Sequence, residues 1–333
     1  MDFKRRLPIP KEIKEQYPLS SEGAGTRDEC TEAIKAVLRG DDSRLLVIIG
    51  PCSADNPAAV YEYLSRLDRV REKVKDSLLI VPRIYTQKPR TSGNAYKGLI
   101  HKPDPHGQTD ILQGVVAVRE MHLRALEDYG FGTADEMLYP ESLRFVSDLL
   151  CYVTVGARSA DDQSHRLVAS GLDQVVGIKN PMNGDLNDLG QAVKTARNGH
   201  IFIYRNWEVE SHGNPYAHAV LRGYTDADGV MHNNISCAPA LESILKADGI
   251  ECPAILVDCN HANSGKDYLL QESNALEALE LRNNVHSIKG LMIESYLEDG
   301  AQCESGTTFG QSITDPCLGW DKTEKLLYKL AEQ

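Results

Sequence analysis

Residues 44–57 read Arg-Leu-Leu-Val-Ile-Ile-Gly-Pro-Cys-Ser-Ala-Asp-Asn-Pro. Positions 45–49 are continuously apolar and branched, as a strand covered on both faces should be. The run breaks at Gly50-Pro51 and delivers Cys52 at its end, and a helical pattern follows over 56–75. Strand, polar exit and helix form a unit that repeats. Further strand runs lie at 78–85, 132–138, 152–157, 175–178, 201–204, 254–257 and 288–293. Helical patterns separate most of them, at 109–129, 141–149, 163–171, 185–197, 237–248 and 267–281. Eight such strands spread over about 250 residues predict an α/β fold, a (β/α)8 TIM barrel. The third strand is the least regular, because Asp135 and Glu136 sit inside it. A doubly wound open sheet is the competing arrangement, but no GxGxxG follows the first strand. Residues 1–44 read as an N-terminal extension, an arm at 7–19 and a helix at 27–39, packed on the barrel or on a neighbouring subunit. Residues 45–333 form the catalytic barrel.

Composition narrows the function. The chain has 333 residues, 41% hydrophobic and 25% charged, the balance of a globular protein. No stretch approaches the roughly 20 apolar residues of a membrane span. The start, MDFKRRLPIP, lacks the apolar core of a secretory signal. A net charge of −12 argues against non-specific nucleic-acid binding, yet leaves room for a local basic pocket. Eight cysteines without CxxC spacing fit a reduced, cytoplasmic protein.

In a barrel the C-terminal ends of all strands meet on one face, where catalysis occurs. Two groups of side chains gather there. Cys52, His261, Glu294 and Asp315 offer one thiolate, one imidazole and two carboxylates. That set suits one divalent transition metal, Mn, Fe, Co or Zn, and the thiolate disfavours Mg or Ca. Singly, each residue has an ordinary reading: a buried cysteine as a small hydrophobe, a strand-end acid as a helix cap. Only their convergence makes a ligand set. The second group is Arg83, Lys88, Arg90, Lys97, Arg158, Lys179 and Arg222. Arg83, Arg158 and Lys179 end apolar runs, so they are expected to be partly buried and to need partners. Glu136 can answer one of them, and ligand oxygens are the natural partners for the rest. The pattern reads as a metal-assisted enzyme acting on phosphorylated, carboxylated metabolites.

At these residues the sequence resembles the type I 3-deoxy-D-arabino-heptulosonate 7-phosphate (DAHP) synthases. The segments that carry the resemblance are RLLVIIGPCSADNP, KPRTSGNAYKGL, VGARS, ASGLDQVVGIKN, VDCNHANSGK, IKGLMIESYLEDG and FGQSITDPCLGW. It implies a barrel with an N-terminal extension, a divalent metal, and a cytoplasmic homodimer or homotetramer. It also implies condensation of phosphoenolpyruvate (PEP) with erythrose 4-phosphate, releasing phosphate, at the entry to aromatic amino-acid synthesis. By the same resemblance Cys52, His261, Glu294 and Asp315 are the metal ligands. Arg83, Lys97, Arg158, Lys179 and Arg222 are the PEP-binding cations, with Glu136 and the backbone at Ala157 beside them. Lys88, Pro89, Arg90 and Thr91 hold the aldose phosphate. Lys88 lies between the two substrates, and His261 or Asp315 manages protons. Cys317 is expected near Cys52, where oxidation would join the two sulfurs and expel the metal.

The chain departs from the family pattern around the acceptor. The KPRT segment is longer and carries Tyr96 in place of Trp. Tyr139 replaces an Asp at the third strand's exit, where a T-P-Q is absent, and Pro181 replaces a Gly after Asn180. The segment from Phe202 to Arg222 and the N-terminal arm are short. These regions build the family's aromatic amino-acid effector pocket, so weak or absent feedback inhibition is expected. A specialised paralogue using a different aldose phosphate or aldehyde is the alternative reading, and a non-catalytic phosphometabolite-binding protein is the third.

Overall fold

The computed structural model describes residues 1–90 and 95–333. Eight parallel strands form the barrel: β1 (Leu45–Gly50), β2 (Leu78–Pro82), β3 (Thr133–Glu136), β4 (Leu150–Val155), β5 (Val175–Lys179), β6 (His218–Leu221), β7 (Ile255–Asp258) and β8 (Ile288–Glu294). Their order around the sheet is β2-β1-β8-β7-β6-β5-β4-β3. A parallel bridge between Arg83 and Ala134 joins the two ends, with the Ile84 N–H donating to the Ala134 carbonyl at 2.8 Å. The sheet therefore closes on itself, and the open doubly wound arrangement is excluded.

One strand is not where periodicity put it. Residues 201–204 pair antiparallel with Trp207–Glu210 as a hairpin outside the barrel. Ile201 and Ile203 are 71% and 84% exposed. The sixth barrel place belongs to β6, whose residues are all buried between β5 and β7. Arg222 consequently leaves a strand end directly, with no intervening loop. The other strand runs hold to within a few residues.

The outer helices are α3 (Pro57–Val74), α4 (Ile111–Glu127), α5 (Pro140–Leu143), α6 (Gln163–Ala169), α7 (Leu186–Arg197), α8 (Ala238–Ala247), α9 (Gln271–Arg282) and α10 (Trp320–Ala331). Local chemistry starts several of them. Asn56 caps α3 by accepting from the Ala59 N–H at 3.2 Å, with Pro57 in the first turn. Asp110 and Asp185 do the same for α4 and α7. The helix expected at 141–149 is only one turn, α5, continued by turns as far as residue 149. No helix is long and apolar enough to cross a membrane among the described residues.

Before β1 come α1 (Pro10–Gln16) and α2 (Ser21–Arg39). Ile34, Val37 and Leu38 of α2 share a core cluster with Leu46, Ile48, Val220, Leu256 and Met292 of the barrel. Gly40, which ends α2 at φ 88°, lies beside Lys289 at the start of β8. The extension thus plugs the barrel end opposite the strand exits. Burying each of the three α2 side chains stabilises by about 1.5–3 kcal/mol. Arg119 of α4 ties in the arm, donating to the Tyr17 carbonyl at 2.7 Å and forking onto Asp148 at 2.8 and 2.9 Å.

Candidate active site

β1 hands the chain to Pro51 and Cys52, and Cys52 is buried. A side chain at Gly50 would overlap the Arg83 backbone, so glycine is what lets the first two strand exits approach. β8 ends in Glu294, fully buried. Gln271 fixes its backbone, accepting its N–H at 2.8 Å and donating to its carbonyl at 2.9 Å. The Glu294 carboxylate accepts from Arg83 Nη2 at 2.9 Å and from Asn260 Nδ2 at 2.6 Å. Asp315 arrives on the loop between β8 and α10, its N–H directed at Cys52 Sγ at 3.4 Å. The ligand atoms of Cys52, Glu294 and Asp315 lie within 4.8 Å of one another. His261, expected as the fourth ligand, stands outside that group of three, with Nε2 at 3.7 Å from Glu294 Oε1. Its Nδ1 sits 2.9 Å from Asp258 Oδ2, outside hydrogen-bonding alignment. Cys317 is brought beside this group, its Sγ accepting the Cys52 N–H at 3.3 Å.

The donor set fits a divalent ion. Burial, and then Glu294, push the Cys52 thiol up to about 11. Burial also opposes charge on Glu294 and Asp315, but His261 offsets it, helped by Arg83 at Glu294 and by Lys266 at Asp315, and both stay below the usual carboxylate range. Two ionised carboxylates therefore face a thiol that ionises at neutral pH only when a cation joins them.

Beside this group is a cavity of about 240 Å³, lined by seven lysine and arginine side chains against the carboxylates of Glu136 and Asp315. Arg83 is 1% exposed and stacks on Tyr85, 3.9 Å from the ring centre. Its Nε and Nη1 are buried without a partner among the described residues. Unmet buried donors cost about 1–3 kcal/mol each, so they mark a place a ligand oxygen completes. Lys179 donates to Asp258 Oδ2 at 2.6 Å. Burial alone would raise the Asp258 carboxyl, but His261 and Lys179 hold it well below its ordinary value. Arg222 is buried with only Met182 Sδ, at 3.7 Å, against its guanidinium among the described residues.

Of the residues singled out in the sequence, Cys52, Arg83, Lys88, Pro89, Arg90, Glu136, Ala157, Arg158, Lys179, Arg222, His261 and Asp315 line this one cavity. Glu294 lies behind its wall. Lys97 is exposed and does not reach it. Thr91 lies outside the described residues. Glu136, expected to answer a buried cation, is not the partner found: Glu294 takes Arg83 and Asp258 takes Lys179. Glu136 instead occupies the space that a side chain at Gly156 would fill. Its neighbour Asp135 roots the second strand's exit loop, accepting from the Thr86 N–H at 3.0 Å and hydroxyl at 2.6 Å. That explains two acids inside β3. Sequence reasoning missed Asp258, Asn260, Gln271 and Lys266. The first, second and fourth stand in the quoted VDCNHANSGK segment, and the positive φ of His261 and Lys266, 53° and 67°, marks a tight turn there.

Fold and site together define a (β/α)8 barrel whose catalytic face carries a candidate metal centre beside a cationic cup. The chain belongs to the DAHP synthetase I family, whose model matches residues 16–328, and it is an enzyme of that type. It is 34% identical to the Tyr-sensitive phospho-2-dehydro-3-deoxyheptonate aldolase of Escherichia coli K12, over 97% of this chain and 92% of that one. It is 36% identical to the Trp-sensitive enzyme of the same strain, over 98% and 94%. A solved phospho-2-dehydro-3-deoxyheptonate aldolase from Francisella tularensis superposes with a TM-score of 0.92 at 31% identity, covering 100% of this chain and 98% of that one.

Proposed function

We propose that this enzyme condenses PEP with erythrose 4-phosphate to give DAHP and phosphate, and that it requires a divalent transition metal, Mn, Fe, Co or Zn, held by Cys52, His261, Glu294 and Asp315. The observation that carries this is Arg83: a fully buried guanidinium neutralised by a metal-site carboxylate, with two donors left over beside a cationic cup. When bound, the ion supplies Lewis acidity toward the acceptor's carbonyl oxygen. Arg83, Arg158, Lys179 and Arg222 take the PEP carboxylate and phosphate, with the Ala157 backbone and Glu136 alongside. Arg90, with Pro89 and Thr91, holds the acceptor's phosphate. Burial opposes charge on Lys88, yet Cys52 and Glu294 outweigh it, so Nζ stays protonated between the substrates and faces the oxygen that becomes anionic. Carbon 3 of PEP then attacks the aldehyde carbon, water adds at carbon 2, and phosphate leaves from that carbon. Fixing both reactants in one cup supplies much of the rate.

Residues 1–44 serve as the barrel's plug and residues 45–333 as the catalytic unit. The exposed Ile201, Ile203 and Trp207 support assembly into a homodimer or homotetramer, in the cytoplasm. Feedback inhibition by Phe, Tyr or Trp is weak or absent. The altered motif residues carry this reading, not a lack of cations: the cavity of about 600 Å³ where the arm, the α5 region and the 201–210 hairpin meet is lined by Lys11, Lys14, Arg144 and Arg205, whereas the neighbouring cavity of about 290 Å³ has no Lys or Arg among its described lining.

The test is phosphate release by manganese-loaded enzyme from PEP with a panel of aldehydes. Erythrose 4-phosphate is expected to give the highest kcat/KM. A better acceptor of another length would establish the paralogue reading instead, because the acceptor loop is the remodelled part, and no release with any aldehyde would refute catalysis.

A further inference from the structure

The loop from 295 to 319 does more than deliver Asp315. It crosses the barrel mouth and touches the loop that carries Arg90. Glu304 accepts the Tyr96 N–H on Oε2 at 3.1 Å and the Lys102 ammonium on Oε1 at 3.3 Å. The Tyr96 carbonyl in turn takes Arg90 Nε at 3.0 Å. So one peptide unit on either side of Tyr96 Cα links a carboxylate on the metal-bearing loop to a guanidinium in the cavity wall. The platform under Glu304 is well tied. Gln302 donates to the Thr308 and Gln311 carbonyls at 2.8 and 3.0 Å and accepts the Thr308 N–H at 2.9 Å. Gly300 and Cys317 exchange backbone hydrogen bonds at 2.8 and 3.0 Å, two residues from Asp315.

Stability does not account for this contact. The Lys102–Glu304 pair is about one-third exposed on each side, and such pairs contribute little to folding. A carboxylate receiving a backbone N–H is directional, however, and fixes the peptide it grips. We propose that Glu304 is a positioning residue for the acceptor-phosphate subsite: it sets the Tyr96 carbonyl that orients Arg90, and so couples the acceptor loop to the loop that supplies Asp315. This rests on reading Arg90 as the acceptor-phosphate cation.

The experiment compares Glu304→Ala and Glu304→Gln in the full-length, manganese-loaded enzyme. Glu304→Ala is expected to raise KM for erythrose 4-phosphate about tenfold, the effect of losing one charged hydrogen bond. KM for PEP and bound manganese should not change. Glu304→Gln, whose amide oxygen still accepts the Tyr96 N–H, should recover to within about threefold of the native enzyme. Hydrogen exchange over residues 86–100 should quicken in Glu304→Ala and stay near native in Glu304→Gln. Equal rises in the KM of both substrates, or faster exchange with an unchanged acceptor KM, would overturn the inference. Arg90→Ala separates the two levels: if that variant leaves the acceptor KM unchanged, the reading of Arg90 fails and this inference falls with it.

Discussion

The two sides of the cavity are built differently. On one side, Cys52, Arg83, Lys179 and Glu294 sit at or just past strand ends, none more than 5% exposed, and each carboxylate there has a named hydrogen-bond donor. On the other, Arg90 stands in the wall and Lys97 beyond it, both exposed on a long connection between β2 and α4. A parallel ladder fixes strand ends through evenly spaced backbone hydrogen bonds, whereas a loop is placed by a few side-chain contacts. The difference suits two reactants of unequal variety. On the proposed reading, the enol phosphate and the ion would meet the strand-end wall, with only Arg158 of the proposed PEP cations exposed, and the acceptor would meet the part of the mouth that sequence change remodels most cheaply.

The largest effect should come from the rigid wall. Cys52→Ser keeps the volume and removes the thiolate. It is expected to lower kcat/KM at least a thousandfold, about 4 kcal/mol of barrier, and to leave dialysed protein without manganese by elemental analysis. Asn260→Ala, which strips a hydrogen bond from Glu294 and also frees the Pro316 carbonyl beside Asp315 and the Ser264 hydroxyl, should weaken manganese binding about 10–100-fold. If Cys52→Ser instead kept metal and rate while loop substitutions abolished both, the contrast between the two sides would be reversed.

The strand side also predicts a pH response. His218 opens β6, with its Nε2 against the Tyr152 hydroxyl at 2.8 Å and its Nδ1 against the Tyr216 carbonyl at 2.9 Å. Burial lowers it to about 4. A folded value below the unfolded value of about 6.5 means that the unfolded chain binds the extra proton. Stability from this residue is therefore full above pH 6.5 and is lost as pH falls toward 4, by roughly 3 kcal/mol in all. His218→Gln should flatten the fall in thermal midpoint between pH 6.5 and 4.5. An identical slope in both proteins would show that His218 is not the titrating group.

That same strand shows why the barrel was legible and its sixth place was not. Runs such as 45–49, and 288–293 apart from Lys289, declare themselves because their residues are apolar and buried. Residues 201–204, Ile-Phe-Ile-Tyr, look like a better strand than His-Ala-Val-Leu at 218–221. Yet they alternate exposed and half-buried, as a two-stranded hairpin must, whereas β6 tolerates a histidine because a tyrosine from β4 answers it. Apolarity measures strand propensity, not membership of the closed sheet. In the site, Cys52, Glu294, His261 and the strand-end cations could be read because they interrupt apolar runs. Asp258 and Gln271 could not, since their roles exist only through Lys179, His261 and the Glu294 backbone, far away in the chain.

Arg90→Ala carries the comparison to the loop side. Its loss should raise KM for erythrose 4-phosphate roughly 10–30-fold, about 1.5–2 kcal/mol, with little change in KM for PEP. A rise confined to PEP would move Arg90 to the other substrate and erase the division of labour between the two walls.

The smallest effect is expected at Lys97, and it is the sharpest test of position against resemblance. By motif, Lys97 is one of the PEP-binding cations. By geometry, its side chain is exposed and outside the cavity wall, and its carbonyl is what the fold uses, accepting the Lys88 N–H at 3.1 Å. Any residue supplies that carbonyl. A solvated ammonium in water attracts a phosphate group only weakly, because the intervening solvent screens it. Lys97→Ala should therefore change kcat/KM for PEP by less than threefold, while Lys88→Ala, which removes a buried ammonium between Cys52 and the cup, should cost orders of magnitude more. If Lys97→Ala instead cost as much as Lys88→Ala, the acceptor loop would have to swing its lysine into the cup when substrate binds, and that side would owe its chemistry to closure rather than to its resting geometry.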